Sequence, residues 1–172
     1  VSITPSGGWI PAFVAGNTGV GLSQRMQSFV LDESLNPFNV VAPGKRPRAT
    51  LTPSLALKDG KPLMAFSVQG GDSQDQNLLQ FFLNVVEFGM DVQQAAEAAN
   101  FTSYQMQSSF GAHGAEPGRI EVMPGVPPYT REVLKKKGYQ VDVVERTYSP
   151  ITAIWFDRKH GTMQGGAGDT GD

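Results

Sequence analysis

Residues 54–76 read as a hairpin that runs straight into a helix. Two β-prone runs, Ser54-Leu55-Ala56-Leu57-Lys58 and Lys61 to Gln69, flank Asp59-Gly60. Asp-Gly tolerates the positive φ angles of a type I′ turn, so the two runs are predicted to pair. The second run stops at Gly70-Gly71, and Asp72-Ser73-Gln74-Asp75-Gln76 then leads into an apolar segment reaching Phe88. Ser73 followed by Gln76 has the form of a capping box, and Gly89 is placed to stop the helix.

Other local signals fill in the order of elements. Ala12–Val14 and Val20–Leu22 are short β-like pieces around Gly16-Asn17-Thr18-Gly19, and the polar, Pro/Gly-bearing stretch 32–47 reads as a long surface loop. Asp91 with Gln94 opens an Ala-rich helix through Ala99, and Arg119 to Met123 alternates as a strand. Pro127-Pro128 precede a helix over Tyr129–Lys137, whose Lys135-Lys136-Lys137-Gly138 end suits the negative helix pole. Tyr139–Glu145 and Ile151–Phe156 read as strands, followed by a turn at Asp157–Gly161 and a short strand at Thr162–Gln164. Strands and helices are segregated, which predicts a layered α+β domain with largely antiparallel sheets and no separate second domain.

Composition narrows function mainly by exclusion. With 14 basic and 16 acidic residues the net charge is −2, so no global field draws in nucleic acid. There is no cysteine, which excludes disulfides, thiol catalysis and thiolate metal sites. No apolar run approaches the roughly 18 residues of a transmembrane helix. His-x-His, His-Glu-x-x-His and EF-hand spacings are missing, so no metal site is expected. The β-like start at Val1 and the glycine-rich end at Asp172 suggest a piece of a larger polypeptide.

The strongest chemical feature is Val68-Gln69-Gly70-Gly71-Asp72-Ser73. Consecutive glycines at a strand-to-helix junction can present unobstructed backbone N–H groups to a developing oxyanion. A tight turn that simply needs glycine accounts for the same residues. The glycines lack the spacing of a dinucleotide fingerprint or a P-loop. Gly44-Lys45-Arg46-Pro47-Arg48 could grip an anion, or be a solvated loop in which one arginine pins a neighbouring segment. His113 and His160 lie in separate glycine-containing loops without a G-x-S-x-G elbow, and Asp157 looks like turn chemistry.

Val14-Ala15-Gly16-Asn17-Thr18-Gly19, Pro43-Gly44-Lys45-Arg46-Pro47, Thr52-Pro53-Ser54, Lys58-Asp59-Gly60-Lys61 and Gly70-Gly71, in this order, resemble the small subunit of the γ-glutamyltransferase family. The resemblance runs from Val1 to about Gln164 and makes the chain most of such a subunit. It implies an N-terminal nucleophile hydrolase fold, a four-layer αββα sandwich with antiparallel sheets. It also implies a precursor that cleaves itself into large and small subunits, a threonine nucleophile whose own amine is the general base, and no cofactor. That threonine falls upstream of Val1, so the chain alone is expected to be inactive. The implied partner is the large subunit of the same precursor, which also supplies an arginine for substrate carboxylate binding, and the implied substrate is a small-molecule amide.

Residue by residue, the family's oxyanion hole falls on Gly70 and Gly71, and a nucleophile-supporting hydroxyl on Ser6, where threonine is usual. The glutamyl-recognition positions depart from the pattern. The acidic position for the substrate α-amine falls on Ser28, a neighbouring amide position on Arg25, the paired carboxylate-binding serines on Ala49 and Thr50, and a donor-pocket asparagine on Gly8. A buried ammonium without an anion costs several kcal/mol. The exchange of a carboxylate for a cation therefore favours a carboxylate-rich acyl group over an ordinary γ-glutamyl donor. A non-glutamyl amidase or acylase, and a non-catalytic binding or assembly subunit, are the competing readings.

Overall fold

The computed structural model describes residues 2, 13–19, 21–23, 25–147 and 150–169. Strands β1 (Ser54–Lys58) and β2 (Lys61–Val68) form the expected hairpin, with Asp59 at φ 54° and Gly60 at φ 71°, both positive as a type I′ turn demands. Along β2 the residues Met64, Phe66 and Val68 point to the same side and are buried, the two-residue period of a strand with one face on a core.

Helix α1 (Gln74–Val86) follows almost at once, then α2 (Val92–Glu97) and the short strand β3 (Phe101–Ser103). Strand β4 (Arg119–Val122) is joined through α3 (Pro128–Lys136) to β5 (Gln140–Val143), and β6 (Ile151–Asp157) and β7 (Thr162–Ala167) complete the chain. One sheet has the order β1-β2-β6-β7 and is antiparallel throughout. The second is β3-β4-β5, in which β3–β4 is antiparallel and β4–β5 is parallel. The parallel pair follows from α3, because a crossover helix returns the chain to the end of the sheet from which it left.

Helices α1 and α2 cover one face of the four-stranded sheet. Met64, Phe66 and Val68 of β2, Leu78, Phe81 and Val85 of α1, Val92 and Ala95 of α2, and Ile151 and Ala153 of β6 make one apolar core. Gly166 lets α2 approach β7, since a Cβ there would lie 2.6 Å from the Val92 carbonyl oxygen.

Three glutamines tie the helices to strand edges. The Gln76 amide donates to Ser103 O at 3.0 Å and accepts Ser103 N–H at 2.8 Å; one turn on, Gln80 does the same with Phe101 at 2.9 and 3.0 Å. Gln93 of α2 pairs in this way with Ala167 of β7, at 2.9 and 3.0 Å. A primary amide carries one donor and one acceptor side by side, so it satisfies an open strand edge as a neighbouring strand would.

The helix starts divide the expectations. Asp91 and Gln94 form a complete capping box, at 2.8 and 3.2 Å, as the sequence predicts, although the helix ends at Glu97 because Ala98 turns extended. The box expected at Ser73 and Gln76 does not form. Ser73 adopts helical angles, its hydroxyl donates back to Gly70 O at 3.0 Å, and Gln76 is committed to β3. Among the described residues of this region, a single antiparallel bridge joins Val14 to Gly21; Ala12 and Val20 of the two expected strands fall outside the described residues. Strand β7 extends to Ala167, beyond the expected end at Gln164.

Candidate active site

Gly70 sits at φ 135° and ψ 19° and Gly71 at φ 59°, conformations that side-chain-bearing residues rarely adopt. A 3-10 turn over Gly71–Ser73 then opens α1. The carbonyl of Gly70 is fixed by two donors, Ser73 N–H at 3.3 Å and Ser73 Oγ at 3.0 Å. Because a trans peptide is planar, its partner Gly71 N–H is turned to the opposite side. Among the described residues neither glycine N–H is given to an acceptor. Both glycines line a cleft of about 660 Å³, with Arg48, Tyr104, Phe110 and Thr147 among its other walls.

Gly71 is pressed against Phe110, where a Cβ would come within 2.9 Å of Cε2. The same ring meets the Arg25 guanidinium, 5.4 Å from its centroid, and Arg25 Nη1 donates to the buried Thr50 hydroxyl at 3.1 Å. Arg25 and Gly71, far apart in sequence, thus meet at one aromatic ring, with Thr50 bonded to Arg25. Ser28 lies on the same 3-10 turn as Arg25 and is wholly buried, its Oγ without a hydrogen-bond partner among the described residues and its carbonyl accepting Asn39 Nδ2 at 2.5 Å. Ala49 is exposed. Ser6 and Gly8 fall outside the described residues.

Arg48 pins its neighbours, one of the two readings of its basic loop. Nη1 donates to Gln107 O at 3.1 Å and Nη2 lies 3.7 Å from Asp72 Oδ1. Neither histidine is among the residues that line the cleft. His113 Nδ1 is within 3.0 Å of Ser108 O. His160 pairs at 2.6 Å with Asp157, which also accepts the backbone N–H groups of Lys159 and His160 and so closes the β6–β7 turn. The register Val68 to Ile151 puts that turn at the far end of β6 from Gly70, about 20 Å along the strand. Among the described residues no cluster of metal-ligating side chains forms, and no helix is long and apolar enough to cross a membrane.

Tyr104 and Phe110 were not legible as site residues. Tyr104 donates to Glu121 at 2.7 Å, and its ring lies 4.5 Å from the Arg119 guanidinium, which also binds Glu116, Glu121 and Asp142 at 3.1, 2.6 and 3.0 Å. Burial first, and the Glu121 carboxylate second, push the Tyr104 phenol up to about 12. It is therefore a fixed donor rather than a base at neutral pH. A raised phenol pKa favours the protonated folded state below the unfolded value, and that contribution disappears as pH climbs from about 10 to about 12. Urea unfolding across this window is expected to lose stability in the parent, and Tyr104→Phe is expected to flatten the slope. Equal slopes would remove Tyr104 as its source.

The whole chain, residues 1–172, matches the family model described as Gamma-glutamyltranspeptidase. The glutathione hydrolase-like YwrD proenzyme of Bacillus subtilis (strain 168) is 33% identical over 165 residues, covering 94% of this chain and 30% of that protein. A solved structure of LmbA2991HD is 38% identical at TM-score 0.76, covering 87% of this chain and 26% of its own. The γ-glutamyltranspeptidase of Pseudomonas nitroreducens complexed with L-DON is 21% identical at TM-score 0.74 and shares the fold across 100% of this chain and 90% of its own. The cephalosporin acylase of Bacillus halodurans is 27% identical at TM-score 0.72, over 88% of this chain and 26% of its own. The chain thus spans under a third of the YwrD proenzyme it matches. Its α+β architecture is that of the N-terminal nucleophile hydrolases, its relatives include glutathione hydrolase and acylase proenzymes, and the chain belongs to the gamma-glutamyltranspeptidase family.

Proposed function

We propose that this chain is the greater part of the small subunit of a threonine-dependent amidohydrolase or acyltransferase. The carrying observation is the glycine pair at a strand-to-helix junction, with both N–H groups unclaimed by the described residues beside a cleft. A threonine hydroxyl, supplied by the part of the protein that precedes Val1 in the family's order, attacks the amide carbonyl while its α-amine takes the proton. The C=O bond becomes a C–O⁻ single bond, and the Gly70 and Gly71 N–H groups receive that charge. Collapse breaks the C–N bond, the protonated base returns its proton to the leaving amine, and an ester-linked acyl-enzyme remains. Water or a second amine resolves it. Activity belongs to the protein assembled with its large subunit.

The acyl group we propose is rich in carboxylate. Arg25 beside Thr50 supports that reading, as does the absence of an acidic side chain at Ser28. The likeness to a cephalosporin acylase favours a non-glutamyl amide as the second reading. The test uses the complete gene product, with the sequence before Val1, on γ-glutamyl anilides and dicarboxylic monoamides. Self-cleavage and the acyl-enzyme are followed by intact mass. Arg25→Gln is expected to lower kcat/KM on the dicarboxylic amides about tenfold, the loss of one charge-assisted hydrogen bond. Equal loss on both substrate classes would sink the assignment to Arg25. No turnover of any amide would favour a binding or assembly role.

A further inference from the structure

The residue after the glycine pair makes contacts that a turn does not need. Asp72 Oδ2 accepts Ser109 N–H at 2.7 Å and the Ser108 hydroxyl at 3.4 Å; Oδ1 accepts the Ser109 hydroxyl at 2.5 Å and lies 3.7 Å from Arg48 Nη2. Ser109 is 1% exposed, and the Asp72 carboxylate, half-buried at the cleft wall, is held against the loop that carries Phe110. Arg48 reaches the same loop through Gln107 O, and its backbone N–H donates to Asn39 Oδ1 at 3.1 Å. Asn39 in turn holds the carbonyl of Ser28. Phe110 closes the circuit, since its ring touches both Gly71 and the Arg25 guanidinium.

Four segments distant in sequence, 25–28, 39–50, 70–73 and 107–110, are thereby bound into one ring of contacts around the glycine pair. We propose that Asp72 is a positioning residue for the Gly70 and Gly71 amides, acting through Ser109 and Phe110 to fix the wall against which Gly71 is seated. The proposal rests on the acyl-transfer reading above. Among the described residues, the hydrogen bonds that tie the 107–110 loop to the 70–73 turn are all made by Asp72. Without them the dipeptide can settle away from the place where negative charge appears, and a misplacement of this kind acts on the transition state more than on the bound substrate.

Charge and positioning predict opposite signs for Asp72→Asn. A carboxylate next to a developing oxyanion repels it, so removing the charge alone would speed the reaction. Loss of the clamp slows it. In the complete two-subunit protein, Asp72→Asn is expected to lower kcat on the best amide of the panel about tenfold with KM within about twofold. Hydrogen exchange in peptides spanning 68–76 and 105–111 is expected to rise about tenfold while β6 is unchanged. Ser109→Ala, which removes one donor to the carboxylate, is the gentler variant and serves if Asp72→Asn does not fold; a two- to threefold fall in kcat is expected. Unchanged or faster turnover in a folded variant overturns the proposal, as does a kcat fall with no change in exchange. A parent that turns over no amide defeats the acyl-transfer reading itself and takes the positioning role with it. An active parent with an equally active Asp72→Asn defeats only the role of Asp72.

Discussion

Gly71→Ala is expected to lower amide turnover of the assembled protein about 10²–10³-fold, which under the proposed mechanism is the cost of losing one oxyanion donor. Two physical effects displace the backbone. Alanine at φ 59° costs about 1–2 kcal/mol in the left-handed region. Its Cβ also lands 2.9 Å from Phe110 Cε2, in a ring that also meets Arg25, on a loop clamped by Asp72. The chain relieves both by moving the Gly70–Gly71 peptide, whose N–H is useful only where it stands. Kinetics on the amide panel with urea unfolding separate the two consequences, a large fall in kcat and a loss of about 1–3 kcal/mol in stability. Adding Phe110→Ala returns the steric part of the stability loss and leaves the φ part. Turnover equal to the parent in Gly71→Ala would end the oxyanion role of this amide.

Phe81→Ala is expected to cost about 3–5 kcal/mol, a large share of the roughly 5–15 kcal/mol that keeps a domain folded. Phe81 is 1% exposed, and its ring lies 5.7 Å from that of Phe66 on β2, so its removal opens a void between α1 and the sheet. The same helix begins at the glycine turn, and its seat on β2 decides where that turn points. A lower urea midpoint and reduced kcat are therefore expected together. A destabilisation under about 1 kcal/mol would mean that the side chain has room to be replaced by solvent or neighbours, contrary to its burial.

How much of this was legible depends on the range of the interactions. The hairpin, the Asp91 cap and the Pro-led, lysine-ended α3 were readable because each is decided within a few residues by backbone conformation or helix-end charge. Ser73 shows the limit. Its spacing to Gln76 fits a capping box, but a hydrogen bond to Gly70 and the docking of β3 on Gln76 draw both side chains elsewhere. Strand β3 has only three residues and no periodicity to detect; Gln76 and Gln80 meet its open edge.

The order of most elements, the family and the glycine pair were all readable along the chain, since a turn that needs positive φ leaves a chemical signature in it. Tertiary structure alone decided that Phe110 meets both Gly71 and Arg25, that Asp72 grips Ser109, and that burial and Glu121 push the Tyr104 phenol upward. Those contacts join residues at least 17 positions apart in the sequence. Their existence depends on how α1 and the β3–β4–β5 sheet pack around one cleft, and no local propensity encodes that packing.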